Sequence, residues 1–279
     1  MKLKTFLTAI CAAALLMTGC GGSDVADKPG SNFSGDAVKL GTITRLNSDE
    51  IKFGEILDKL DVKTKHQPKF YDNLKTMQLA VESGEIDQIS TYRSVANYLT
   101  AANNKFEIVP NDALNKISDY FCFAVRKDDT ALKAELDKAI DDMKADGTLD
   151  KMIDEYITKA KHDNLPRVDI PKIDGAPVIK VGVTGDLPPL DLVLSDNSPA
   201  GFNTAMLAEI SKRTGKNIEL VEIDSGARAT ALTSKIIDVV FWVIVPVGKD
   251  MPADIDKPEG LELSTPYFKD DLAHVKLKK

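Results

Sequence analysis

The 279-residue sequence is poor in cysteine, histidine and tryptophan, and each scarcity excludes something. Of its three cysteines, Cys11 and Cys20 lie in an N-terminal export segment, so Cys122 is left alone and no intramolecular disulfide can form. The three histidines, His66, His162 and His274, are scattered without metal-ligand spacing. No Gly-x-Ser-x-Gly elbow and no phosphate loop occurs. Carboxylates are plentiful, but Glu50/Glu55 and Asp141/Asp142 read as solvated helix faces rather than acid–base pairs. The sequence thus offers no catalytic residue, no metal site and no cofactor. Basic residues are in the minority, with a formal net charge of −7, which argues against a nucleic-acid partner. The apolar run at residues 6–17 is too short to cross a bilayer, which takes about 20 residues.

That run has another reading. Lys2 and Lys4 precede it and small residues follow, the build of a secretory signal. Met17-Thr18-Gly19-Cys20 resembles a lipobox, which implies residues 1–19 as a lipoprotein signal peptide and Cys20 as the lipidation site. Residues 20–36, rich in Gly, Ser and Asp, read as a tether. Loss of Lys2 and Lys4 would take the net charge from −7 to −9.

From Ala37 onward short apolar runs alternate with amphipathic segments, the pattern of an α/β protein. Strands are expected at 38–43, 69–71, 86–90, 106–109 and 120–126, with Ser48 and Asp72 capping the first two helices. Helices at 131–144 and 149–159 follow. Residues 161–177 carry prolines and no helical period, and read as a linker. The alternation then restarts, with strands at 178–183, 218–223 and 237–245, helices starting at Asn203 or Thr204 and at Ser225, and a last extended segment at 264–274. The two units are not obvious repeats. Cys122 sits in an apolar run and reads as a buried small hydrophobe.

Val181-Gly182-Val183-Thr184-Gly185-Asp186, Pro188-Pro189, Pro199-Ala200-Gly201-Phe202-Asn203 and Ile237-Asp238-Val239 together resemble lobe one of the family 3 extracellular solute-binding proteins. Ser264-Thr265-Pro266-Tyr267-Phe268 is similar to the segment that leads into lobe two. Leu40-Gly41-Thr42, Val81-Glu82-Ser83-Gly84-Glu85-Ile86-Asp87, Phe123-Ala124-Val125-Arg126-Lys127 and Met143-Lys144-Ala145-Asp146-Gly147 resemble the other half of the same fold. The resemblance implies an α/β, two-lobe, type II periplasmic-binding-protein-like fold with its halves in permuted order. Residues 37–119 would form a lobe-two-like unit, and 120–160 a crossover strand with closing helices packing on lobe one. Residues 161–177 would be the linker, and 178–279 a lobe-one-like unit with a second crossover segment. A circular permutation accounts for this order, with tandem incomplete modules as the alternative. The permutation requires residues 178–183 and 120–126 to share one sheet, and places the cut at the hinge with one covalent crossover near 118–126.

The resemblance also implies a function. The chain is expected to be a lipid-anchored, extracytoplasmic, monomeric component of an ABC-type transporter, with a small polar or anionic, amino-acid-like solute and a membrane permease as partners. An enzyme on the same fold, dehydratase-like, and a sensor or scaffold lipoprotein are the alternatives. In the family the ligand carboxylate meets an arginine in a Thr-x-x-Arg segment, but here Trp242-Val243-Ile244-Val245-Pro246-Val247-Gly248-Lys249 has none. The family's lobe-two aspartate falls at or near Tyr92. Candidate ligand-binding residues are therefore Thr42, Thr44 and Arg45 after the first strand, Arg228, Trp242, Asp186 and Tyr92. Leu190 and Leu192 are expected to form an aliphatic wall.

Overall fold

The computed structural model describes residues 36–279 except Val62, Asn111, Asp112 and Asn164. The signal, Cys20 and all but the last residue of the tether lie outside the described residues. The chain opens with β1 (Val38–Ile43), α1 (Glu50–Leu60), β2 (His66–Tyr71), α2 (Leu74–Glu82), β3 (Gln88–Tyr92), α3 (Arg93–Ala102) and β4 (Phe106–Ile108). It continues through β5 (Ser118–Arg126), α4 (Thr130–Ala145), α5 (Thr148–Ile153) and a π-helical turn, Asp154–Thr158. The second half holds β6 (Val178–Val183), the small strands β7 (Asp186–Leu187), β8 (Asp191–Val193) and β9 (Pro199–Ala200), then α6 (Phe202–Thr214) and β10 (Asn217–Glu222). A 3-10 turn at Ser225–Ala227 leads into α7 (Arg228–Thr233), and β11 (Val239–Pro246), β12 (Leu261–Leu263) and β13 (Phe268–Leu277) end the chain.

Ten strands form two sheets of identical order joined where β5 meets β13, and β7, β8 and β9 form a separate three-stranded sheet. In lobe two the order is β2-β1-β3-β13-β4, and in lobe one β10-β6-β11-β5-β12. In each, the first three strands are parallel and the fourth runs against them. Two stretches without shared sequence thus build the same sheet. The fourth strand is exchanged: β5 comes from the first half of the chain and β13 from the second. They pair antiparallel where they cross, with Phe268 opposite Phe121 and Asp270 opposite Asp119. Because β5 and β6 both flank β11, residues 178–183 and 120–126 share a sheet.

The expected single crossover is corrected. The segment from Phe268 does not stop at the hinge but runs on as a lobe-two strand, pairing Leu272–Val275 with β3 and Val275–Leu277 with β4. Two strands therefore join the lobes, and β1 and β13 lie one strand apart in lobe two, on either side of β3. Packed rings line the crossing, with Tyr92 edge-on to Phe121 at 4.7 Å and Phe268 tilted against it at 5.5 Å.

Three helix starts move from their expected residues. Asp49, not Ser48, caps α1 by accepting from the Lys52 N–H, and Asn73, not Asp72, caps α2 by accepting from the Thr76 N–H. Gly201 precedes α6 in a conformation with φ 99°, and a Cβ there would lie 2.7 Å from the Pro189 carbonyl oxygen. Asn203 and Thr204 are instead buried in its first turn, for α6 is sunk beneath α4 and α5. Cys122 is buried, and burial pushes its thiol up to about 12, as suits an inert core residue.

Candidate functional site

In open α/β sheets, groups gather at the carboxyl ends of the strands. Here the two sheets turn those ends toward each other, and loops from both lobes meet. After β1 come Thr44, Arg45, Leu46 and Asn47; after β10 come Asp224 and the turn carrying Arg228. Hydrogen bonds stitch the facing loops together. Asp256, from lobe one, accepts from the Leu46 N–H of lobe two at 2.7 Å and from the Ile244 N–H of its own lobe at 3.1 Å. Asn47 donates to the Asp254 carbonyl at 2.8 Å. Asp72, displaced from its expected capping role, accepts from the Gly226 N–H at 3.1 Å. A Cβ at Gly226 would lie 2.8 Å from that carboxylate oxygen, so a larger residue there would displace the Asp72 side chain.

Two guanidiniums lie at the floor of this junction. Arg45 is 8% exposed and lies 5.3 Å over the ring of Phe53, from α1. Arg228, the first residue of α7, is 2% exposed and lies 5.0 Å over the indole of Trp242. Its Nε donates to the Ser225 carbonyl, and its Nη2 crosses to the Thr44 carbonyl of lobe two at 3.1 Å.

Trp242 reaches the floor through a backbone irregularity. Val240 opposes Ala124 and Val243 opposes Cys122, so β11 carries one residue more than β5 over this stretch. Trp242 takes φ 39°, a left-handed value that costs a bulky residue about 1–3 kcal/mol. The bulge lets consecutive aromatics serve two places. Phe241 packs on Phe123 and Tyr267 in the lobe-one core, while Trp242 lines a small cavity with Arg45, Tyr92, Thr42 and Leu187.

Several buried donors here lack a partner among the described residues: Nε of Arg45, Nη1 of Arg228 and Nε1 of Trp242. Each such group costs about 1–3 kcal/mol. Burial works to lower the Arg45 pKa, but Tyr92, Asp256 and Asp119 around it raise it above its ordinary value. Arg228 is lowered, first by burial and also by the positive charge of Arg45. Tyr92 donates to Asp119 at 2.7 Å in the hinge, and burial raises both groups, Tyr92 well above its usual range.

The structure gathers Thr42, Arg45, Tyr92 and Trp242 around one cavity, with Arg228 against its indole wall. Thr44 and Asp186 lie apart from it. Thr44 bonds the Tyr71 carbonyl and the Asp72 carboxylate. Asp186 sits in a separate acidic pocket with Asp72, Glu222 and Asp224, where it accepts from the Lys75 N–H at the start of α2. Burial raises Asp186 to about 6, with the backbone bonds from Lys75 and Leu74 acting against it. Leu190 is core and Leu192 lies in β8, and neither lines the cavity, whose aliphatic wall is formed by Ile43, Leu187 and Leu272 instead. Sequence reasoning missed Asp256 and Asp119. An aspartate at the head of the apolar β5 was a signal for Asp119, but Asp256 lies in a loop whose place depends wholly on long-range contacts. A larger cavity, of about 560 Å³, lies between α3 and residues 157–163, and none of its lining residues holds an unpartnered buried polar atom.

Two sheets of one order, exchanged crossing strands and a polar floor between facing loops define a hinged two-lobe binder. The chain belongs to the bacterial extracellular solute-binding proteins, family 3, whose model matches residues 42–159 and 179–245. It is a solute-binding protein, and the family places such chains outside the cytoplasm. Among the described residues no helix is long and apolar enough to cross a membrane. Comparison with curated proteins finds no match. Solved structures similar to it include the GluR0 ligand-binding core from Nostoc punctiforme in complex with L-glutamate, at 10% identity and TM-score 0.37, covering 87% of this chain and 85% of that one. The ligand-binding component of an ABC-type import system from Staphylococcus aureus, with zinc bound, is 12% identical at TM-score 0.43, covering 86% and 66%. An ancestral arginine-binding protein bound to arginine is 12% identical at TM-score 0.38, covering 87% and 84%.

Proposed function

We propose that this chain is the receptor of an ABC-type importer, lipid-anchored through Cys20, and that its lobes close over a small polar or anionic solute. One observation carries the reading. Arg45 of lobe two and Arg228 of lobe one are both buried at the same junction, each with a donor nitrogen unpartnered. Closure on a solute would satisfy those donors, and two hinge strands permit the movement. In this reading residues 37–119 are the body of lobe two, completed by β13, and 178–267 the body of lobe one, completed by β5 and closed by the helices up to residue 160, while 161–177 joins what an unpermuted relative leaves as termini. The order supports circular permutation, and the same strand order in both lobes is what a permutation inside lobe two leaves.

The test is a thermal-shift panel of amino acids, carboxylates, inorganic anions and sugars on the purified protein. A solute at 100 times its Kd should add about 2.7 kcal/mol. Silence across every class would end the reading. For the anchor, Cys20→Ser should move the protein from the membrane fraction to the soluble extracytoplasmic fraction.

A further inference from the structure

We infer that the solute is a compact oxyanion without an ammonium group, a short monocarboxylate or an inorganic oxyanion, seated on Arg45, Arg228 and the Trp242 indole N–H. This deepens the solute-receptor reading and rests on it. The unpartnered groups at the floor are N–H donors on three nine-tenths-buried side chains: Arg45 Nε, Arg228 Nη1 and Trp242 Nε1. Donors held out of water call for acceptor oxygens, and guanidinium groups suit planar oxyanions best.

An ammonium finds no counterpart there. Arg45 is the one charged residue among those lining the cavity, and the rest are apolar or carry hydroxyls, such as Thr42, Ser90 and Tyr92. The neighbouring carboxylates lie outside the cavity lining. Both oxygens of Asp256 hold backbone N–H groups, Leu46 on one side and Ile244 on the other. Asp119 spends Oδ2 on Tyr92 and does not line the cavity, although its Oδ1 is unpartnered. Asp186 is held by the Lys75 N–H in a different pocket. An ammonium buried in the cavity would meet the Arg45 guanidinium and no carboxylate among the lining residues, which is strongly unfavourable.

Size points the same way. The cavity measures about 10 Å³, close to the space of one water. Every further atom of solute requires the facing loops to part, at the expense of the bonds through Asp256, Asp254 and Asp72.

Acetate and glycine make a matched pair, differing only by the ammonium. Calorimetry on the purified full-length processed protein, with the fluorescence of its single tryptophan as a second readout, should show acetate or nitrate binding. Glycine and alanine should bind on the order of a hundredfold more weakly, the factor expected for an unpaired buried charge. Trp242→Phe keeps the ring and removes the donor, and should weaken the anion roughly tenfold with the fold intact. Arg45→Lys keeps the charge and loses the planar fork, and should weaken it as well. Glycine binding as tightly as acetate, or anion affinity unmoved in Trp242→Phe and Arg45→Lys, would overturn the inference and leave the receptor reading standing. Absence of binding by every class, amino acids included, would overturn the receptor reading itself.

Discussion

The two lobes share a strand order and differ in what they bury. Lobe one has an aromatic core, where Phe123, Phe241 and Tyr267 lie within 4.7–6.0 Å of one another. Lobe two buries a pair of imidazoles instead. His66 begins β2 and His274 lies in β13, with ring centroids 6.2 Å apart. His274 is held by Gln88 at 3.2 Å, and burial lowers it to about 3, while burial lowers His66 as well. One topology thus carries an aromatic cluster in one lobe and a buried imidazole pair in the other. The sheet order specifies where side chains meet, and the side chains then set what conditions each lobe tolerates.

Several substitutions would break or sharpen that contrast. The largest effect belongs to Phe123→Ala, which should cost about 3–5 kcal/mol in chemical denaturation, with little change between pH 8 and pH 5 in the cost itself. A cost that varied steeply with pH would contradict the separation of this aromatic cluster from the titrating groups. Next comes the junction between the lobes. Asp256→Ala removes the acceptor of two backbone N–H groups, one from each lobe, and should cost about 2–4 kcal/mol. Small-angle scattering should also show a larger radius of gyration, and an unchanged radius would place the lobes' hold elsewhere.

The histidines give the pH prediction. His274 folds neutral with a pKa near 3 against 6.5 for the ordinary group, so below pH 6.5 the unfolded chain binds a proton that the folded one refuses. Stability is therefore full above pH 6.5 and falls as pH drops toward 3, by up to about 1.4 kcal/mol per unit. Asp186 runs the other way: raised to about 6, it holds its proton longer when folded, and its contribution declines as pH rises from 3.8 to 6. His274→Gln should flatten the acid limb of the stability curve, and Asp186→Asn should steepen it between those values. An acid limb unaltered by His274→Gln would remove the imidazole pair from the account. The smallest effect distinguishes two adjacent residues. Asp49→Ala should cost about 1 kcal/mol through loss of the α1 cap, whereas Ser48→Ala should cost close to nothing.

Much of this was legible in the sequence, for reasons that are local. The β1 and β6 bounds follow from short apolar runs flanked by turns, and Arg45, Tyr92, Thr42 and Trp242 meet at one cavity because strand ends in this fold face one cleft. What was not legible depends on contacts distant in sequence. Asp72 is an ordinary capping candidate until Gly226 approaches it from the other lobe. Ser264 onward reads as one extended stretch, and only its pairing shows that it serves the hinge first and then lobe two. The bulge that turns Trp242 from the core to the cleft has no signature in Phe241-Trp242-Val243 alone. Caps shifted by one or two residues because neighbouring polar residues compete, and tertiary contacts decide between them.

The solute seat spanning both lobes is tested most directly by calorimetric affinity for the best-bound solute in Arg45→Met and in Arg228→Met, measured separately. Each variant should lose at least about thirtyfold in Kd, because each lobe supplies one of the two guanidiniums. Undiminished affinity in both variants, with the fold confirmed by circular dichroism, would contradict the placement of the solute between them.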